Sequence, residues 1–138
     1  MGKIQKVVID TNVTISAFGW GGKPLQIIEL LEQGVIRNCV SEQTLKELIA
    51  ALAYPKLAFS HVTQTSILEF VLAYSDVYDP AERIYAAPDP DDDKFIECAA
   101  AANAKIIITG DKRFLSLKRH GGVRVLSPEN FLLGRKIT

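Results

Sequence analysis

The chain has 138 residues, 48% apolar and 23% charged, which suits one soluble domain spanning 1–138 and leaves little length for a second. Sixteen basic residues balance sixteen acidic ones, so net charge gives no sign of a polyanionic partner, and any such contact has to be argued from local clusters. Cys39 and Cys98 lack a CxxC and a nearby His pair, which excludes a disulfide framework and structural zinc and leaves reduced, buried thiols. No window reaches the length of a membrane span, and the short apolar run after the first lysines falls well below a secretory leader. A cytoplasmic location with no membrane contact is expected.

The first element is a strand over Val7–Ile9, β-branched throughout and without polar alternation, as in a parallel sheet covered on both faces. It runs directly into Asp10, Thr11 and Asn12. The GWGGKP stretch that follows reads as a flexible connection, in which Trp20 is either a base-stacking ring or an anchoring apolar contact. Pro24 and Gly34 bracket a helix containing LQIIELLEQ. A mixed strand over Val35–Val40 leads to Ser41, which can cap a helix with the stripe Leu45, Leu48, Ile49 and Leu52.

A further helix is predicted around Gln64–Asp76, then a strand over Arg83–Ala86. The next helix begins near Asp92 or Asp93 and runs through the alanines to about Asn103. The strand Ile106–Ile108 repeats the first one's pattern. Val123–Leu126 is another strand, and Ser127, Pro128 and Glu129 open a final short helix. Strands alternating with helices of this length point to a three-layer α/β domain, with a central, mostly parallel sheet flanked by helices.

Ligands in open parallel sheets bind beyond the carboxyl ends of the strands. Asp10 stands at one such end. Asp111 follows another, across Thr109 and Gly110, and PDPDDDK places Asp89, Asp91, Asp92 and Asp93 at a helix start. Each could equally serve a turn or a cap; together they form a more specific pattern. Glu47 lies roughly opposite the apolar stripe of its helix, either solvated or bordering a cleft shared with Asp10. Carboxylates about 4 Å apart repel by roughly 4 kcal/mol at an effective dielectric near 20, so a cleft that gathers them needs raised pKa values or a cation. Oxygen-only donors select hard ions such as Mg²⁺ or Mn²⁺, and the matching chemistry is attack of water on a phosphodiester.

Two motifs fail. Asp89, Asp91 and Asp93 begin like a calcium-binding loop, but Lys94 replaces the required Gly and Ala100 the bidentate Glu. GWGGKP is no phosphate loop, because Lys23 is followed by Pro24. His61 and His120 have no partners at ligand spacing and read as surface residues.

VVIDTNV, SEQTLKELIAAL, PDPDDDKFIECA and IIITGDKRFL, in this order over nearly the whole chain, resemble the PIN-domain family, in particular its toxin components of toxin–antitoxin pairs. The resemblance implies a metal-dependent ribonuclease using Mg²⁺ or Mn²⁺, a cognate antitoxin as partner and a homodimer. It implies Asp10, Glu47, Asp92 or Asp93, and Asp111 as the metal-site and catalytic acids, with Asp92 preferred of the pair. Thr11 and Asn12 resemble the polar pair that supports the first aspartate, and Thr109 of the Thr-Gly-Asp turn joins this supporting set. Lys112, Arg113, Lys118 and Arg119, beside Asp111, either hold the RNA backbone or form a solvated helix face.

Two other readings compete. A PIN-like module could bind RNA or protein without cutting. Asp10 and Asn12 after a strand also resemble the haloacid-dehalogenase-like phosphatases, but Asn12 stands where their second Asp belongs, and Gly110–Asp111 lacks their following Asp.

Overall fold

The computed structural model describes residues 4–137. At its centre lies a sheet of β1 (Gln5–Ile9), β2 (Ile36–Val40), β3 (Ser75–Val77), β4 (Ile106–Ile108), β5 (Arg119–His120) and β6 (Val123–Leu126). The strand order is β3-β2-β1-β4-β6-β5, parallel throughout except where β5 turns back on β6. The helices are α1 (Thr11–Trp20), α2 (Gly22–Glu32), α3 (Glu42–Leu52), α4 (His61–Ala73), α5 (Asp93–Ala102), α6 (Lys112–Leu115) and α7 (Pro128–Ile137). They cover both faces of the sheet and give the three-layer α/β architecture that the alternating pattern predicts.

The unbroken apolar runs are explained by this double cover. Val7 and Ile9 of β1, with Ile106 and Ile108 of β4, pack under α1, α2 and Phe131 of α7. Val8 and Ile107 point the other way, into Phe95, Ile96, Cys98 and Ala99 of α5 and Phe114 of α6. A third cluster joins Ile15, Val40, Leu48, Leu52, Ile67 and Val71, where α3 and α4 close over β2. Both cysteines sit in the α5-side core as free thiols, and burial pushes Cys39 up to about 11 and Cys98 up to about 12.

Local signals set most helix ends. Ser41 and Thr44 exchange hydrogen bonds as a capping box for α3. Gly34 adopts a left-handed backbone (φ 75°) after α2, and Asn103 does the same (φ 56°) after α5. The stripe on α3 is narrower than its pattern suggests: Leu48 and Leu52 are buried, whereas Ile49 is 50% exposed.

Four stretches depart from the sequence expectation. Residues 11–20 form α1 directly after β1, instead of a polar turn and flexible loop. The helix expected over Gln64–Asp76 starts earlier, at His61 under a Ser60 cap, and stops at Ala73. Ser75–Val77 is then an edge strand paired in parallel with β2, and Asn38 Nδ2 donates to Ser75 Oγ (3.0 Å) while Arg37 makes two hydrogen bonds to the Asp76 carboxylate (3.1 and 3.0 Å). These partners lie on β2, far away in sequence. The expected strand over Arg83–Ala86 is irregular chain, in which the N–H groups of Ile84 and Ala86 donate to Glu97 and Asp93 of α5 rather than to a neighbouring strand. Finally, Lys112–Leu115 and Arg119–His120 form a short helix and a two-residue edge strand that no pattern announced.

Among the described residues, no helix is long and apolar enough to cross a membrane. Ile107, fully buried in the central β4, is a suitable probe of the core. Ile107→Ala is expected to lower unfolding stability by about 2–5 kcal/mol in urea titrations, against within about 0.5 kcal/mol for Val62→Ala on the exposed side of α4.

Candidate functional site

Parallel pairing of β1 with β4 aligns Ile9 with Ile108 and so delivers Asp10 and Thr109 to the same end of the sheet. The Asp10 N–H donates to Ile108 O (2.9 Å), and Thr109 Oγ1 donates to Asp10 Oδ2 at 2.6 Å. The Thr109 hydroxyl oxygen in turn accepts the Asp111 N–H (3.1 Å), and Asn12 Oδ1 accepts the Gly110 N–H (3.3 Å). The turn after β4 is therefore stitched to the turn after β1. Asp10 is 5% exposed, and its carboxyl is pushed up to about 6. Burial is the main cause and the Glu47 charge adds to it, while the Thr109 hydroxyl and the N–H groups of Asn12 and Thr11 pull the other way.

Glu47 reaches the same place from α3. Thr11 Oγ1 donates to its Oε2 (2.5 Å), and Lys94 Nζ pairs with its Oε1 (2.7 Å). Lys94 also pairs with Asp91 at 3.1 Å, and its side chain is only 16% exposed. Asp92 stands where the short turn Pro90–Asp92 meets α5, with its carboxyl pushed up to about 7. Desolvation leads, followed by the charges of Asp10, Asp89, Asp111 and Glu47. Asp111 caps α6 by accepting the Arg113 N–H (2.9 Å). Asp10, Glu47, Asp92 and Asp111, spread over a hundred residues of chain, thus come near enough at one rim of the sheet for Asp92 to feel the charge of the other three.

The other predicted residues have different tasks. Asp93 is buried, and its Oδ1 accepts the N–H groups of Ala86 (3.0 Å) and Ala87 (2.8 Å), so it anchors the loop before α5. Thr11 and Asn12 support Asp10 through their N–H groups, while the Thr11 hydroxyl goes to Glu47 and the Asn12 side chain fastens Gly110; the hydroxyl on Asp10 comes from Thr109. Lys112 and Arg113 lie on α6, Lys118 in a left-handed turn (φ 64°) and Arg119 on β5. All four are exposed, but they do not share a helix face, and the Arg113 guanidinium donates to Pro88 O (3.1 Å). Sequence reasoning missed Lys94 as a member of the cleft. Its signal was visible as the single cation directly after the acidic run PDPDDD.

The donor set consists only of carboxylate and hydroxyl oxygens, which suits a hard divalent ion. Among the described residues, no group of three or more His, Cys, Asp or Glu side chains is gathered closely enough to hold a metal ion as arranged.

Separating the acid pair gives a direct check. Asp93→Ala strands two backbone N–H groups and is expected to destabilise the fold by roughly 1–3 kcal/mol, measured by thermal or urea unfolding. Asp92→Asn, which removes a repelled charge, is expected to leave metal-free stability unchanged or raised.

The family model for the PIN domain matches residues 6–113. An uncharacterized protein of Methanocaldococcus jannaschii is 41% identical over 123 residues, covering 86% of this chain and 79% of its own length. Among solved structures, VapBC2 from Rickettsia felis, bound to a DNA fragment from its promoter, aligns with a TM-score of 0.63 at 16% identity, over 89% of this chain and 98% of that one. PAE2754 from Pyrobaculum aerophilum aligns at 0.64 and 14% identity, over 97% and 91%. FitAcB from Neisseria gonorrhoeae aligns at 0.56 and 19% identity, over 89% and 98%. At such identities these three likenesses speak for the fold alone. With a family match over most of its length and a 41%-identical relative that aligns over 86% of it, the chain belongs to the PIN-domain family.

Proposed function

We propose that this chain is a divalent-metal-dependent endoribonuclease, the toxin of a toxin–antitoxin pair acting in the cytoplasm. The observation that carries the reading is the burial of carboxyls side by side: desolvation first, and neighbouring carboxylates second, push Asp92 up to about 7 and Asp10 up to about 6. Such an arrangement costs stability, which a bound cation would return. Family membership supports nuclease chemistry, and the likeness in fold to the VapBC2 and FitAcB toxin–antitoxin complexes supports an antitoxin as partner. A second copy of the chain is proposed as a further partner on the family resemblance.

Mg²⁺ or Mn²⁺ would be held by Asp10, Glu47, Asp92 and Asp111, some of them through water. When bound, the metal acidifies a water molecule and offsets charge on the phosphodiester. The chain's own groups do the rest. Thr109 fixes the Asp10 carboxylate through Oδ2, while Thr11 and Lys94 hold the two oxygens of Glu47. Lys112, Lys118 and Arg119 offer exposed cations for the RNA backbone beyond Asp111. The Lys94–Glu47 pair gives a second reading some weight, because a cleft already holding its own cation could belong to a module that binds RNA without cutting it.

Incubating the protein with single-stranded RNA in Mn²⁺, Mg²⁺ or EDTA separates these readings. Cleavage is expected with metal only, and Asp10→Asn is expected to reduce it at least about 100-fold. Cleavage at full rate in the variant, or binding without any cleavage, would overturn the nuclease assignment.

The same carboxyls predict a pH dependence. Their folded-state values lie above the ordinary 3.8, so the folded protein holds protons that the unfolded chain releases, and metal-free stability falls as pH rises from about 4 through about 7. For Asp10 alone the loss is about 3 kcal/mol. Melting curves across this range should show the decline, with a smaller one in Asp10→Asn and a reversal at saturating Mg²⁺.

A further inference from the structure

Trp20 is the only tryptophan of the chain, and it is 70% exposed at the last position of α1. Gly21, at positive φ, ends α1 directly behind it, and Gly22, also at positive φ, opens α2. The ring is therefore not an anchor in the core, which was one of the two roles the sequence left open. Tyr54, 54% exposed, stands just beyond the end of α3. Both rings line a cavity of about 520 Å³ between α1 and α3, together with Ile15, Ala51 and Leu57. Asn12 and Glu47 line it as well, so the groove runs out from the acidic cleft itself.

The chemistry of this groove differs from that of the cleft. Its walls are mostly aromatic and aliphatic, and among the described residues no Lys or Arg lines it. It is therefore unsuited to a phosphate and suited to a flat, uncharged ring stacked against an aromatic face. The exposed cations Lys112, Lys118 and Arg119 lie in the segment after Asp111, whereas the groove adjoins Glu47. A strand could thus keep its backbone near the cations, pass the acids with one phosphodiester and turn the neighbouring base into the groove.

We propose that the Trp20–Tyr54 groove is a nucleobase subsite that takes one unpaired base next to the scissile phosphate. The inference rests on the ribonuclease reading and sharpens it: the substrate must be single-stranded at the cleavage position, because a base held in a duplex stack cannot enter. The groove contributes to holding the strand rather than to the chemical step.

The lone tryptophan reports on its own occupancy. In EDTA, a single-stranded RNA of about ten nucleotides is expected to quench Trp20 fluorescence, and the matching duplex to quench it far less. Fluorescence anisotropy of a labelled strand should show binding weakened roughly 5- to 10-fold by Trp20→Ala and restored to within about threefold by Trp20→Phe. With metal present, Trp20→Ala should raise KM and leave kcat nearly unchanged. Binding of the strand with no change in Trp20 emission, or equal affinity in Trp20→Ala, would overturn the subsite and leave the groove to a protein partner. Quenching that persists while no RNA is ever cut would sink the nuclease reading and its scissile phosphate but keep the groove as a base-binding site, so the two fail separately.

Discussion

The alignment of Ile9 with Ile108 between two parallel strands is the constraint from which the cleft follows. Parallel neighbours end on the same side, so the residues after each strand share one rim of the sheet. Asp10 and Thr109 occupy that rim and are joined by a 2.6 Å hydrogen bond. The Thr109 hydroxyl then receives the Asp111 N–H, and Asn12 receives that of Gly110. A slip of one residue in this pairing would turn the buried faces of β1 and β4 over and separate Asp10 from Thr109 together. Core packing and site geometry are two outcomes of one register.

Against this rigid frame works a repulsive charge distribution. Asp10 is nearly sealed from water, and Asp92 feels the fields of three other members of the cleft. Partial relief comes from within: Lys94 bonds to Glu47 and Asp91, and Thr11 holds the remaining oxygen of Glu47. Functional sites commonly store destabilisation of this kind, with the surrounding fold holding the groups in place. Here the frame consists of α5 under Asp92, α3 under Glu47 and two strand ends.

Much of this was legible in the sequence because the signals are local. Apolar, β-branched runs marked β1 and β4 as doubly covered, and Ser41, Gly34 and Asn103 marked helix ends through their own backbone preferences. The acidic positions after strands pointed to a rim. What could not be read depends on partners distant along the chain. Ser75–Val77 becomes a strand by pairing with β2, where Asn38 and Arg37 add side-chain bonds to it. The anchoring of Ala86 and Ala87 by Asp93 involves two N–H groups that no helical wheel contains. The place of Lys94 beside Glu47 appears only after α3 and α5 have packed.

The two thiols in the core carry a practical corollary. Cys39 and Cys98 are buried, and at values near 11 and 12 almost none of either exists as thiolate at neutral pH. Alkylating reagents and mild oxidants act on thiolate, so the folded native chain should be all but silent to them. A cysteine introduced on the outer surface would then be the sole fast-reacting handle, and a dye or spin label could be attached there without first removing the native pair.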